Sequence, residues 1–140
     1  MFIKGAIPKP EIDRALEVLS TCDWKQGQSQ YDDYSREVKR NQELRKGDDV
    51  RLGVILNKFE KIISANRDFN QYAYPYKCAG LRFNRCSDGG FYGKHADASL
   101  MGKPPLRSDL SVTLWLTDGY SGGDLVVDGL GTFKGEPGDV

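Results

Sequence analysis

Tyr92-Gly93-Lys94-His95-Ala96-Asp97 and, beyond a Pro/Gly loop, Asp109-Leu110-Ser111-Val112-Thr113-Leu114-Trp115-Leu116-Thr117 decide how this chain is read. The second stretch alternates. Leu110, Val112, Leu114 and Leu116 fall on one side and Ser111, Thr113, Trp115 and Thr117 on the other, the period of a strand with one buried face. In the first stretch His95, the only histidine of the sequence, stands two positions before Asp97. Side chains at i and i+2 of a strand point to the same face, with Cα atoms roughly 6.5–7 Å apart. An imidazole and a carboxylate so placed are two corners of the face of two histidines and one carboxylate that binds iron(II). With 20 acidic residues in 140, a lone histidine has about one chance in seven of an acid at that spacing. A hydrogen-bonded or surface histidine is therefore the plain alternative.

Outward from this centre the sequence divides in two. Ala79–Cys86 sets Leu81 and Phe83 against Arg82 and Asn84, as a strand with one wet face. Ser87-Asp88-Gly89-Gly90 turns the chain into a further strand over Phe91–Asp97, and Ala98–Ser108, with Gly102, Pro104 and Pro105, is a loop. After Asp109–Thr117, a glycine turn at 118–123 leads to a short strand at Asp124–Asp128, and Gly129–Gly131 leads into Thr132-Phe133-Lys134. Upstream the period is 3.6. Pro10, Glu11 and Asp13 open a helix over 9–20 whose Ile12, Ala15, Leu16 and Leu19 share a face. Residues 23–46 are polar and read as a loop with Trp24 packed beneath it. Its cations Arg36, Lys39, Arg40, Arg45 and Lys46, interrupted by Glu37 and Glu43, read as a solvated face. A longer helix follows from about Asp48 to Phe69, capped by Asp48 or Asp49, with a core stripe of Leu52, Ile55, Leu56, Phe59, Ile62, Ile63 and Asn66 to be laid on a sheet. It ends before Tyr74-Pro75-Tyr76, since Pro75 disfavours a helical Tyr74. Helices first and antiparallel strands after give an α+β class. The expectation is one domain over 1–140, helical to about residue 77 and β from about residue 78.

Lys and Arg total 20, as do Asp and Glu, so no global charge points to nucleic acid or to an anionic membrane. No apolar run approaches the roughly 20 residues of a membrane helix, and the first residues lack the apolar centre of a signal peptide. Cys22, Cys78 and Cys86 are odd in number and unclustered, which reads as reduced thiols of a cytoplasmic protein.

The motifs combine into a resemblance. Leu81-Arg82-Phe83-Asn84-Arg85, Tyr92-Gly93-x-His95-x-Asp97, Arg107-Ser108-Asp109-Leu110-Ser111-x-Thr113-Leu114 and Tyr120-x-Gly122-Gly123-Asp124-Leu125 follow one another as in the PKHD-type hydroxylases, members of the prolyl-4-hydroxylase-like Fe(II)/2-oxoglutarate dioxygenases. Trp24-x-x-Gly27 and Val38-Lys39-x-Asn41-x-x-Leu44 resemble the N-terminal segment of that family, so the similarity runs from about residue 8 to the last residue. The resemblance implies a double-stranded β-helix, or jelly roll, with helices packed outside one sheet. It implies Fe(II) held by His95 and Asp97, 2-oxoglutarate as cosubstrate, ascorbate as a further small molecule, and hydroxylation of a C–H bond in a small-molecule or peptide substrate with release of succinate and CO2. Tyr92, Cys86, Ser111 and Thr113 are the residues it places beside the cosubstrate. Cys86 stands where the family usually carries a tyrosine, and Asp124 where glutamate is common.

The family completes its metal site with a second histidine on a later strand and binds the distal carboxylate of 2-oxoglutarate with a basic residue beyond it. The sequence ends at Gly135-Glu136-Pro137-Gly138-Asp139-Val140, before either position, so a jelly roll lacking its last strands is expected. Unpaired sheet edges would then favour homo-oligomers. Two other readings stay open: a catalytically inactive jelly-roll fragment, and a cupin-like module that binds a small ligand without redox chemistry.

Overall fold

The computed structural model describes residues 1–27, 38–87 and 89–140. The remaining positions, among them Arg36 and Glu37 of the basic stretch and Asp88 of the glycine turn, lie outside the described residues. Three helices and nine short strands are described, an α+β arrangement. Helix α1 spans Lys9–Ser20 as its periodicity requires, with Ile12, Ala15 and Leu19 buried. The expected long helix is two. Helix α2 runs Val50–Ala65, capped by Asp49, whose side chain accepts the Arg51 N–H. Asn66 then leaves the helical region (φ −68°, ψ 127°), accepts the Phe69 N–H on its own side chain and starts α3 at Arg67–Ala73. An amide that satisfies an orphan N–H outside a helix competes with continuing the helix, so Asn66 is a cap and not part of the core stripe. Tyr74 ends α3 in the left-handed region (φ 42°), consistent with the helix-disfavouring effect of Pro75.

The main sheet is antiparallel in the order β1-β3-β4, built from Lys25–Gln26, Gln42–Leu44 and Phe83–Arg85, with Leu44 opposite Phe83. Strand β2, Lys39–Arg40, pairs instead with β5, Phe91–Tyr92. Strands β6 and β7, Leu100–Met101 and Leu106–Arg107, form one hairpin, and β8 and β9, Leu125–Val127 and Gly131–Phe133, another. The supposed polar loop 23–46 thus supplies β1, β2 and β3, and the supposed loop 98–108 supplies β6 and β7. Two-residue strands made of lysine, arginine and glutamine carry no alternation to read. Asp109–Thr117 corrects in the other direction. It alternates, yet it is not a strand, and Leu110 is 51% exposed. Among the described residues its ladder is a pair of bonds at Trp115, whose N–H donates to Asp139 O and whose carbonyl accepts from the Gly138 N–H. Side-chain period sets faces, but a strand exists only where its backbone finds a partner.

The core lies between α1, α2 and the main sheet. Leu52, Leu56 and Phe59 of α2 and Ile12 of α1 are almost fully covered, and they meet Leu44 and Phe83 of the sheet, with the Phe59 and Phe83 rings edge-to-face at 6.4 Å. Burying each such side chain contributes about 1.5–3 kcal/mol. The last residues close on the first: Ile3 and Val140 exchange both backbone hydrogen bonds, Ile7 N–H donates to Gly138 O, and the Asp139 carboxylate accepts the Gly5 N–H at 2.8 Å.

Candidate functional site

The β2–β5 ribbon carries the site. Lys39 lies opposite Tyr92 and Arg40 opposite Phe91, and the Gly93 N–H extends the pairing by one bond of 2.6 Å to Val38 O. A Cβ on Gly93 would stand 3.1 Å from that carbonyl, so glycine permits the close approach. Beyond Gly93 the described chain leaves the ribbon. His95 and Asp97 are therefore not on a strand, contrary to the sequence expectation, and it is a fold-back that joins them. The imidazole turns onto its own segment, with Nδ1 2.7 Å from Gly93 O and the ring 4.5 Å from the Tyr92 ring. Its Nε2 lies 3.3 Å from Asp97 Oδ1. The Ser111 hydroxyl donates to Asp97 Oδ2, so the segment after the 98–108 hairpin reaches the pair although it is not a strand.

These contacts fix the chemistry of the two side chains. A carbonyl only accepts, so Nδ1 carries the imidazole proton and the Nε2 lone pair faces a carboxylate oxygen. The Nε2 lone pair and the carboxylate oxygen are both donors to a cation placed between them. Their separation suits neighbouring ligands of one ion, which stand about 3 Å apart for bonds of about 2.1 Å at a right angle. The Gly93 carbonyl behind Nδ1 and the Ser111 hydroxyl behind Oδ2 are the kind of outer contacts that orient metal ligands. The donor pair fits a metal ion. Among the described residues no group of three or more His, Cys, Asp or Glu is gathered to hold one, so the pair is a partial set.

The other expected site residues are distributed unevenly. The Tyr92 ring meets the His95 ring at an interplanar angle of 58°, and the Lys39 ammonium lies 4.7 Å from the Tyr92 ring centroid. Cys86 is exposed; partial burial pushes its thiol pKa up, against the pull of the Lys39 charge. Thr113 is exposed, and no hydrogen bond ties it to His95 or Asp97 among the described residues. Arg107 and Asp109 form an exposed ion pair at 2.6 Å, just after the β6–β7 hairpin.

Lys39 and Glu43 are what the sequence reading missed. Far from lying on a solvated face, the Lys39 side chain is 12% exposed and ion-paired with the Glu43 carboxylate, which is buried. Arg45 at 3.2 Å and Arg82 at 3.6 Å approach the same carboxylate. Burial alone would raise the Glu43 pKa, but these cations more than offset it and hold it below its ordinary value. The available signal was a glutamate flanked by Lys39, Arg40, Arg45 and Lys46 in a segment with no helical period.

No family model matches the chain. It is 32% identical over 131 residues to a PKHD-type hydroxylase of Maricaulis maris, 33% over 138 residues to one of Parvibaculum lavamentivorans, and 35% over 136 residues to one of Acidovorax ebreus. These alignments take in 92%, 90% and 91% of this chain, and the chain spans 58% of the length of each of the three.

Proposed function

The chain belongs to the PKHD-type hydroxylase family, and from that premise we propose that the whole protein is an Fe(II)- and 2-oxoglutarate-dependent oxygenase that hydroxylates a C–H bond. The observation that carries this reading is the approach of His95 Nε2 to Asp97 Oδ1 at 3.3 Å, with Nδ1 committed to Gly93 O. His95 and Asp97 would hold the metal. Bound Fe(II) with 2-oxoglutarate supplies O2 activation, so that substrate C–H, 2-oxoglutarate and O2 become substrate C–OH, succinate and CO2. The rest of the work belongs to the protein. The Gly93 carbonyl fixes the imidazole tautomer, Ser111 orients the carboxylate, and Tyr92, itself under the Lys39 ammonium, packs against the imidazole. Tyr92, Cys86, Ser111 and Thr113 are proposed to line the cosubstrate pocket.

His95 is the only histidine of these 140 residues, so a set of two histidines and a carboxylate needs a donor outside them. In the same proposal the hairpins and the main sheet are parts of a double-stranded β-helix whose further strands bring that donor and a basic residue for 2-oxoglutarate, all within one domain. The supporting fact is that the chain spans 58% of its relatives.

Anaerobic titration with Fe(II) and 2-oxoglutarate tests the assignment through the visible charge-transfer band of the chelate. A band that His95→Ala abolishes supports it. A folded chain of the relatives' full length that gives no band, or one indifferent to His95→Ala, refutes it.

A further inference from the structure

Lys39 is a costly residue to bury, and Glu43 does not account for it. A lysine side chain is rarely covered unless something holds it, and that of Lys39 is 12% exposed. Its ion pair with Glu43 joins β2 of the ribbon to β3 of the main sheet. Arg45 and Arg82 approach the same carboxylate at 3.2 and 3.6 Å from more open positions, their side chains 53% and 41% exposed. Those two suffice to neutralise Glu43 while keeping contact with water. What Lys39 alone of the three adds, among the described residues, is reach in the other direction. Its ammonium lies 4.7 Å from the ring centroid of Tyr92, its cross-strand neighbour.

That ring matters to His95. The contact of Nδ1 with Gly93 O, at 2.7 Å, fixes one atom of the imidazole and leaves its plane free to pivot. Whether Nε2 then points at Asp97 depends on a second contact with the ring, and Tyr92 supplies it, with centroids 4.5 Å apart. Tyr92 is itself lightly held. It is 46% exposed and ends a two-residue strand of a two-stranded ribbon, an arrangement that is marginal without side-chain contacts across the strands. A cation beside an aromatic ring is attracted by its quadrupole, more strongly when withdrawn from water. Contacts thus run in one line from the main sheet to the candidate ligand, through Glu43, Lys39, Tyr92 and His95.

We propose that Lys39 is a positioning residue for His95, acting through the Tyr92 ring and held in place by Glu43. Its effect on metal binding rests on the iron assignment, and its effect on the imidazole does not. Charge alone would act with the opposite sign. Removing a nearby cation favours a bound divalent metal ion, whereas removing a support for its ligand disfavours it.

Because His95 is the only histidine of the chain, its Cε1–H proton gives one isolated NMR signal in EDTA at neutral pH, displaced by the Tyr92 ring current. Tyr92→Leu marks the position without the ring. Lys39→Met, which keeps the aliphatic stem, is expected to carry the signal most of the way to that mark, and Lys39→Arg, which keeps the charge, to leave it near the parent position. In a chain of the relatives' full length, titrated with cobalt(II) as probe, Lys39→Met and Tyr92→Leu are each expected to weaken binding about tenfold. A His95 signal unmoved by Lys39→Met, or cobalt affinity unchanged or tighter in that variant, would overturn the proposal. Unchanged cobalt affinity in Tyr92→Leu, which alters a half-exposed side chain outside the core, would overturn it too, whether or not Lys39→Met folds. A folded full-length chain that binds no cobalt refutes the metal assignment instead, and the His95 signal then decides on Lys39 by itself.

Discussion

With a side chain only 5% exposed and three cations around it, Glu43 shows how one residue can set local stability. Because its folded pKa is depressed, its stabilisation is complete above the ordinary carboxylate range and is lost as pH falls through the lowered value. Glu43→Gln leaves Lys39 buried without its counter-charge and is expected to cost about 3 kcal/mol at neutral pH. The difference from the parent chain should shrink as pH falls below the ordinary carboxylate range and through the lowered pKa, where the parent carboxylate also protonates. Urea unfolding across pH measures this, and a constant difference would contradict it. Little of this was legible from sequence. Lys39 and Glu43 stand four apart, a spacing that suggests ion pairs only on helices, and here they lie on successive strands, where the register with β4 and β5 places them. His95 and Asp97 were legible as a pair, although the strand that was to align them was not the device that does so.

Among the elements, those with long-period signals were the readable ones. Four turns of apolar spacing in α2 leave one interpretation, and Leu52, Ile55, Leu56, Phe59 and Ile63 are buried as that stripe requires. Interruption by a single side chain was not readable, because Asn66 also fits the helical spacing. Its cap on Phe69 predicts that Asn66→Ala destabilises the chain by about 1 kcal/mol, measured as a fall in Tm. The closing segment offers a harsher case. Gly138 holds φ +98°, and a Cβ there would run into the Ile7 carbonyl. Gly138→Ala therefore carries both left-handed strain and a backbone collision, at about 1–3 kcal/mol for the strain alone. Hydrogen exchange at Ile3 and Val140 should accelerate in this variant before exchange in α2 does; unchanged protection would show that the closure contributes little.

On the scale of the molecule, burial is lopsided. Every buried hydrophobic residue of the core lies at or before Phe83. Downstream, Leu110, Val112, Leu125, Val126 and Leu130 are 36–75% exposed, and β8–β9 is a two-stranded hairpin with no third strand among the described residues. Unpaired edges beside exposed apolar side chains are templates for a second chain. The chain is accordingly expected to self-associate across micromolar concentrations in sedimentation velocity, with the hairpin at the contact. Val126→Lys together with Leu130→Lys places charge on that edge and should return the monomer without lowering Tm, since neither side chain belongs to the core. The proposed double-stranded β-helix makes a further demand. A chain of the relatives' full length, of which this one spans 58%, should stay monomeric without these substitutions, because added strands would cover the same face. Association by the longer chain through β8–β9 would mean that this edge is an interface in its own right, and the jelly-roll reading would then lose its physical support.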